Sequence, residues 1–155
     1  MKKSKKRSRN PANQEVSSIS RIMAVDYGDA RTGVAVSDES QTLVGDAWVI
    51  QSRRESEVVQ IIVDEAAARG VSRIVVGYPK NMDGSIGSRA EKCGKFAEVL
   101  RSACEIEVVL WDERMTTLSA QRVLTDVGKF GKKRKNTIDA VAASLILESY
   151  LGTLK

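Results

Sequence analysis

Three short, mainly apolar runs, Ile22 to Val25, Ile74 to Val76 and, broken by Glu107, Ile106 to Trp111, each end on something polar or on glycine. Continuous apolar runs of this length point to strands buried on both faces, hence to the middle of a sheet covered by helices. Thr32 to Ser37 follows the first run after a short turn and reads as its hairpin partner, and Leu43 to Ile50 as a third strand. Between and after the runs the spacing turns helical. Val58, Ile61 and Ile62 mark a helix over 55–69 that stops at Gly70; Ala90 to Ala103 is a second. Thr116 or Thr117 can cap a helix running to Val127, and Asn136 or Thr137 can cap the last, Ile138 to Leu151. Three strands in hairpin order followed by strands alternating with helices predict an α/β fold: a mixed five-stranded sheet, antiparallel over strands 1–3 and parallel thereafter, with helices on both faces.

The ends of the buried strands carry the candidate chemistry. The first stops at Asp26, the second at Gly77-Tyr78-Pro79 and the third at Asp112-Glu113-Arg114. Right-handed crossovers lay such strands parallel, so their carboxyl ends open on one crevice and Asp26 and Glu113 converge there; if the second strand lies between them, Gly77 offers no side chain to fill the gap. A bare aspartate at a sheet's end is costly to desolvate, and it is either a turn carboxylate capping local amides or a group waiting for a cation. Asp139 falls in the first turn of the expected last helix. It is there either as an acid favoured by the helix dipole or as a third ligand.

Composition narrows the chemistry. The chain of 155 residues fits one domain and contains no histidine, which removes Ser-His and Cys-His nucleophiles and histidine-ligated metal centres. Catalysis then falls to carboxylates, whose hard oxygens suit Mg²⁺ or Mn²⁺ and phosphoryl chemistry. Cys93 and Cys104, eleven residues apart along one helix, stand roughly 16 Å from each other and read as idle thiols. No apolar run reaches membrane-spanning length and the basic start lacks a secretory signal's apolar stretch, so the expectation is a cytoplasmic protein without membrane contact.

The net charge of +5 is unevenly placed. Residues 1–20 hold six Lys and Arg against Glu15, so this segment alone supplies +5 and the rest of the chain is neutral. It is expected to form a disordered leader, either an RNA-touching arm or a solubilising one, with 21–155 as a single domain. A second cluster, Lys129, Lys132, Lys133, Arg134 and Lys135, precedes the last helix. Trp48 and Trp111 read as packing residues rather than stacking platforms.

Taken together, Asp26, Gly28, Arg31, Gly33, Ala35, Ser37 and Asp38, then Gly77, Pro79, Asp83, Gly84, Ser85, Gly87 and Ala90, then Asp112-Glu113-Arg114-Met115-Thr116-Thr117, then Lys132 to Lys135 with Asp139, Ala142 and Ala143, resemble in order four motifs of the YqgF/RuvX family, of RNase H-like (Holliday junction resolvase-like) fold. Thr32 and Ser88 replace residues more usual there. The resemblance implies a metal-dependent nuclease that processes the 5′ end of pre-16S ribosomal RNA, with four-way junction cleavage as the older proposal. It implies that Asp26, Glu113 and Asp139 hold one or two Mg²⁺ or Mn²⁺ ions. Arg31, Arg114 and the run Lys132, Lys133, Arg134 and Lys135 would contact phosphates of pre-rRNA or branched DNA, with ribosomal particles as further partners. Two rivals come from other classes. The Asp-x-Gly hairpin is also similar to the first phosphate loop of actin and sugar-kinase ATPases, whose site lies between two related domains. A non-enzymatic RNA or ribosome-assembly factor could use the same scaffold.

Overall fold

A computed structural model describes residues 20–115 and 134–154, with the side chains of the last helix described from Asp139 onward. Strands β1 (Arg21–Asp26), β2 (Arg31–Ser37) and β3 (Val44–Gln51) form an antiparallel meander. Helix α1 (Glu55–Arg69), strand β4 (Val71–Tyr78), helix α2 (Ser88–Ala103) and strand β5 (Glu107–Asp112) follow. A 3₁₀ turn, Glu113–Met115, closes β5, and helix α3 spans Arg134–Gly152. The sheet order is β3-β2-β1-β4-β5, with β4 parallel to both β1 and β5. The expected mixed sheet is therefore present, and β4 does lie between β1, which ends in Asp26, and β5, which Glu113 follows; β5, expected to be buried, is instead an edge strand with Glu107 and Leu110 exposed.

Alternation along the central strands decides which layer each side chain joins. Met23 and Val25 of β1, Val34 and Val36 of β2, and Ile74 and Val76 of β4 pack with α1 and α2 residues such as Ile62, Phe96 and Leu100. Their neighbours Ile22, Ala24, Ala35 and Val75 face the opposite way, onto Ala143, Ile146, Leu147 and Leu151 of α3. Both faces of β1 and β4 are thus buried, as their uninterrupted apolar runs required. On the α3 side the residues are small, so the helix lies close. A Cβ on Gly33 would stand 2.0 Å from the backbone oxygen of Asp139, a contact only glycine permits.

Several element boundaries differ from the sequence reading. Helix α2 begins at Ser88 rather than Ala90, and Gly70 ends α1 in the left-handed region as expected, at φ 70°. Helix α3 begins at Arg134, four residues before the expected Ile138. Asn136 and Thr137 therefore lie within the helix rather than capping it; no Gly or Pro stands there to stop it, and either residue costs a helix only about half a kcal/mol. As a result Asp139 is not in the first turn, which holds no acid, and the helix-dipole argument for its charge falls away. Arg134 and Lys135 occupy that turn instead. The leader, the expected helix from Thr116 or Thr117 to Val127, and Lys132 and Lys133 lie outside the described residues. No described helix is long and apolar enough to cross a membrane.

Candidate active site

Because β1, β4 and β5 run the same way, Asp26, Tyr78 and Asp112 end at one edge of the sheet. Asp26 has the strand parity of Ile22 and Ala24, and so belongs to the face that α3 covers. Its side chain is 15% exposed. Burial pushes its carboxyl up from 3.8 to about 6; the guanidinium of Arg89 opposes this and the charge of Asp139 adds to it. Glu113, on the 3₁₀ turn beyond β5, folds back over Gly77, where an added Cβ would come within 2.5 Å of its Oε2. Burial raises Glu113 from 4.5 to about 7, with the charge of Asp26 raising it further and Arg89 again lowering it. The carboxylates on β1 and after β5 thus sense each other across the gap that Gly77 leaves.

Asp139 comes to the same edge from α3. Its carboxylate is engaged: Arg31 Nε donates to Oδ2 at 3.0 Å. Asp26, Asp139, Arg31, Arg53, Arg89 and the 28–30 turn line one open cavity of about 310 Å³. Its floor is acidic and its rim carries three guanidinium groups. Glu113 does not line it and sits to one side, over β4. Among the described residues no three acidic or cysteine side chains are gathered closely enough to ligate one ion.

The donor chemistry still fits a hard divalent cation. All candidate ligands are carboxylate oxygens, the preferred partners of Mg²⁺ and Mn²⁺, and two of them carry pKa values raised by burial, which a cation at the same place would bring down.

Two of the arginines expected to meet phosphates, Arg31 and Arg114, already have protein partners. Arg114 is held by Asp112, at 2.7 Å from Nη2 to Oδ2, and donates through Nη1 to the Met82 carbonyl at 3.4 Å. It ties the loop before α2 to the end of β5. Arg89 and Arg53 were not singled out from the sequence, yet both line the acidic cavity, and Arg89 Nη2 lies 3.7 Å from Asp26 Oδ1. Arg89 carried one available signal: a cation in a helix's first turn runs against the dipole and so asks for another partner. Trp48 and Trp111 pack as expected, Trp48 beneath the Arg69 guanidinium and Trp111 edge-on to Tyr150. Cys93 is buried, and burial pushes its thiol up to about 11, an inert value at neutral pH.

Comparison with known proteins places this geometry in a lineage. A family model, RuvX, described as Holliday junction resolvase, matches residues 20–153. A Halothermothrix orenii protein named "Putative pre-16S rRNA nuclease" is 46% identical over 135 residues, spanning 85% of this chain and 94% of that protein. One from Caldanaerobacter subterraneus with the same name is 45% identical over 87% of this chain and 98% of its own length. Among solved structures, Thermus thermophilus RuvC in complex with a Holliday junction substrate superposes with a TM-score of 0.59 at 12% identity, over 88% of this chain and 97% of that one. Fowlpox virus resolvase with Holliday junction DNA gives 0.53 at 14% identity, over 86% and 98%. At such identities the two resolvases share the fold, while the relatives share the sequence along nearly its whole length. The RNase H-like sheet, the carboxylates at its edge and this kinship agree, and the chain belongs to the RuvX family of resolvase-like nucleases.

Proposed function

We propose that this protein is a divalent-metal-dependent nuclease that matures the 5′ end of pre-16S ribosomal RNA in the cytoplasm, on ribosomal precursor particles. The observation that carries the reading is Asp26, a carboxylate held desolvated at the end of the central strand, sharing one cavity with Asp139 and the guanidinium groups of Arg31, Arg53 and Arg89. The names of the relatives at 45–46% identity support the RNA substrate.

Asp26, Glu113 and Asp139 would hold one or two Mg²⁺ or Mn²⁺ ions. Such an ion supplies Lewis acidity: it makes water a nucleophile near neutral pH and offsets charge developing on the phosphate and leaving oxygen. The chain's own groups do the rest. Asp26 and Glu113 orient what binds between them, Gly77 leaves room for it, and the guanidinium groups of Arg31, Arg53 and Arg89 attract and align the phosphates of the strand. Arg134 and Lys135, in the first turn of α3, with Lys132 and Lys133 preceding them, add attraction that does not depend on sequence.

Cleavage of four-way DNA junctions is the second reading, favoured by the description of the matching family. One comparison separates these: pre-16S RNA, a four-way junction and generic single strands offered with Mn²⁺, the Asp26→Asn protein serving as contamination control. Cleavage of the precursor RNA alone, absent in the variant, supports the first reading. Preference for the junction supports the second, and binding without cleavage of any substrate returns the protein to the class of assembly factors.

A further inference from the structure

Arg89 is the second residue of α2 and approaches the acidic floor from the layer opposite α3. It reaches past the end of the sheet, donating to the Tyr27 carbonyl at 3.3 Å and standing 3.7 Å from Asp26 Oδ1. Its charge acts on Asp26 and Glu113 alike. At 3.7 Å the pair with Asp26 is an electrostatic contact rather than a hydrogen bond, so little geometry holds it in place. The side chain is also 56% exposed and borders two cavities at once. One is the acidic cavity; the other, about 180 Å³, is lined by Tyr27, Asp29, Ser88, Lys92 and Cys93. Lys92 is paired with Asp29 at 3.2 Å, which leaves Arg89 the group placed to serve either side.

Resting on the metal-dependent reading above, we propose that Arg89 changes partners when the site is loaded: it is the counter-charge of Asp26 in the ion-free protein, and it binds a nucleic-acid phosphate at the Ser88–Lys92 cavity once a divalent cation takes Asp26. A guanidinium and a divalent cation cannot both neutralise one buried carboxylate without repelling each other, so Arg89 competes with the ion. A planar fork released beside a second polar cavity is suited to a phosphate oxygen pair.

The test titrates Mn²⁺ alone into the full-length parent, Arg89→Gln and Arg89→Ala at low ionic strength, followed by calorimetry. Removing the competing charge is expected to tighten Mn²⁺ binding by about tenfold in both variants. Unchanged or weaker binding in the variants overturns the exchange while leaving the metal-dependent reading in place. If neither parent nor variants bind Mn²⁺, that reading falls and the exchange with it. Arg89→Gln keeps the side chain's length and helix propensity, so it covers the case in which the alanine variant does not fold. The phosphate half is read without turnover: in the Asp26→Asn background, adding Arg89→Gln is expected to weaken binding of a single-stranded oligoribonucleotide and to make the log–log salt slope shallower by about one. An identical slope in the two proteins overturns that half.

Discussion

Arg31 on β2 and Asp139 on α3 form a 3.0 Å ion pair that joins residues 108 positions apart at the mouth of the acidic cavity. Arg31 occupies one oxygen of Asp139 and leaves the other open to a ligand role, and a substrate phosphate is the natural second partner for the rest of the guanidinium. The pair is partly solvated, with side chains 38% and 27% exposed, so its contribution to folding is small. Arg31→Ala is expected to cost about 1 kcal/mol or less, roughly 2–4 °C in Tm for a domain of this size. The loss of a charge-assisted phosphate contact is expected to raise KM by about tenfold. Melting curves beside steady-state kinetics check this: a large drop in Tm with unchanged KM would make Arg31 a structural residue.

Asp26 gives the protein a stability that depends on pH in an unusual direction. Its folded pKa, about 6, lies above the ordinary 3.8, so the folded state holds the proton more tightly. Stability is then complete below about pH 4 and is lost as pH rises through 6. Asparagine removes the buried charge. Without divalent ions at pH 7.5, Asp26→Asn is expected to be more stable than the parent by up to about 3 kcal/mol, an advantage that vanishes below about pH 4. It also relieves Glu113, whose own window runs from 4.5 to about 7 and whose pKa Asp26 helps to raise, so Asp26→Asn and Glu113→Gln are expected to combine less than additively. Urea unfolding in chelator at both pH values measures it. A variant less stable than the parent at pH 7.5 would mean that Asp26 is stabilised by hydrogen bonds rather than strained by burial.

The reading from sequence succeeded where the chain's own periodicity carried the answer. Ile22 to Val25 announced a strand covered on both faces, and the sheet order placed β4 between Asp26 and Glu113 because parallel crossovers leave few other arrangements. It failed where a residue's partner lay far away in the chain. Arg89 went unnoticed because its approach to Asp26 depends on how α2 ends up above the sheet, which no spacing encodes. The start of α3 lies earlier than the sequence suggests because Asn136 and Thr137 are good caps, and nothing local shows that the helix runs through them.

The basic run offers a prediction that rests on charge alone. Lys132, Lys133 and Lys135 precede or open α3, and replacing all three with glutamine is expected to weaken binding to unrelated RNA and DNA sequences to the same extent, lowering the salt slope by about two to three. Fluorescence anisotropy at several salt concentrations measures this. A sequence-dependent loss would point to base recognition, and an unchanged slope would leave the run as a solvated surface.

Two glycines separate the demands of the fold from those of the site. At Gly33 an added Cβ meets backbone, 2.0 Å from the Asp139 oxygen and 2.7 Å from its carbonyl carbon, so α3 must move bodily away from β2. At Gly77 the obstacles are side chains, Glu113 Oε2 at 2.5 Å and Ile146 Cδ1 at 2.8 Å, which rotate at little cost. Gly33→Ala is therefore expected to lose about 2–4 kcal/mol, in the range of overpacked cores and beyond, and with it activity and solubility together. Gly77→Ala is expected to lose only about 1 kcal/mol, yet to fall in kcat by about a hundredfold, because the Glu113 carboxylate must leave the place where it faces Asp26. Chemical unfolding and single-turnover cleavage distinguish the two. If Gly77→Ala kept full activity with a normal fold, the position of Glu113 over β4 would have no part in catalysis, and the working carboxylates would be those that line the cavity, Asp26 and Asp139.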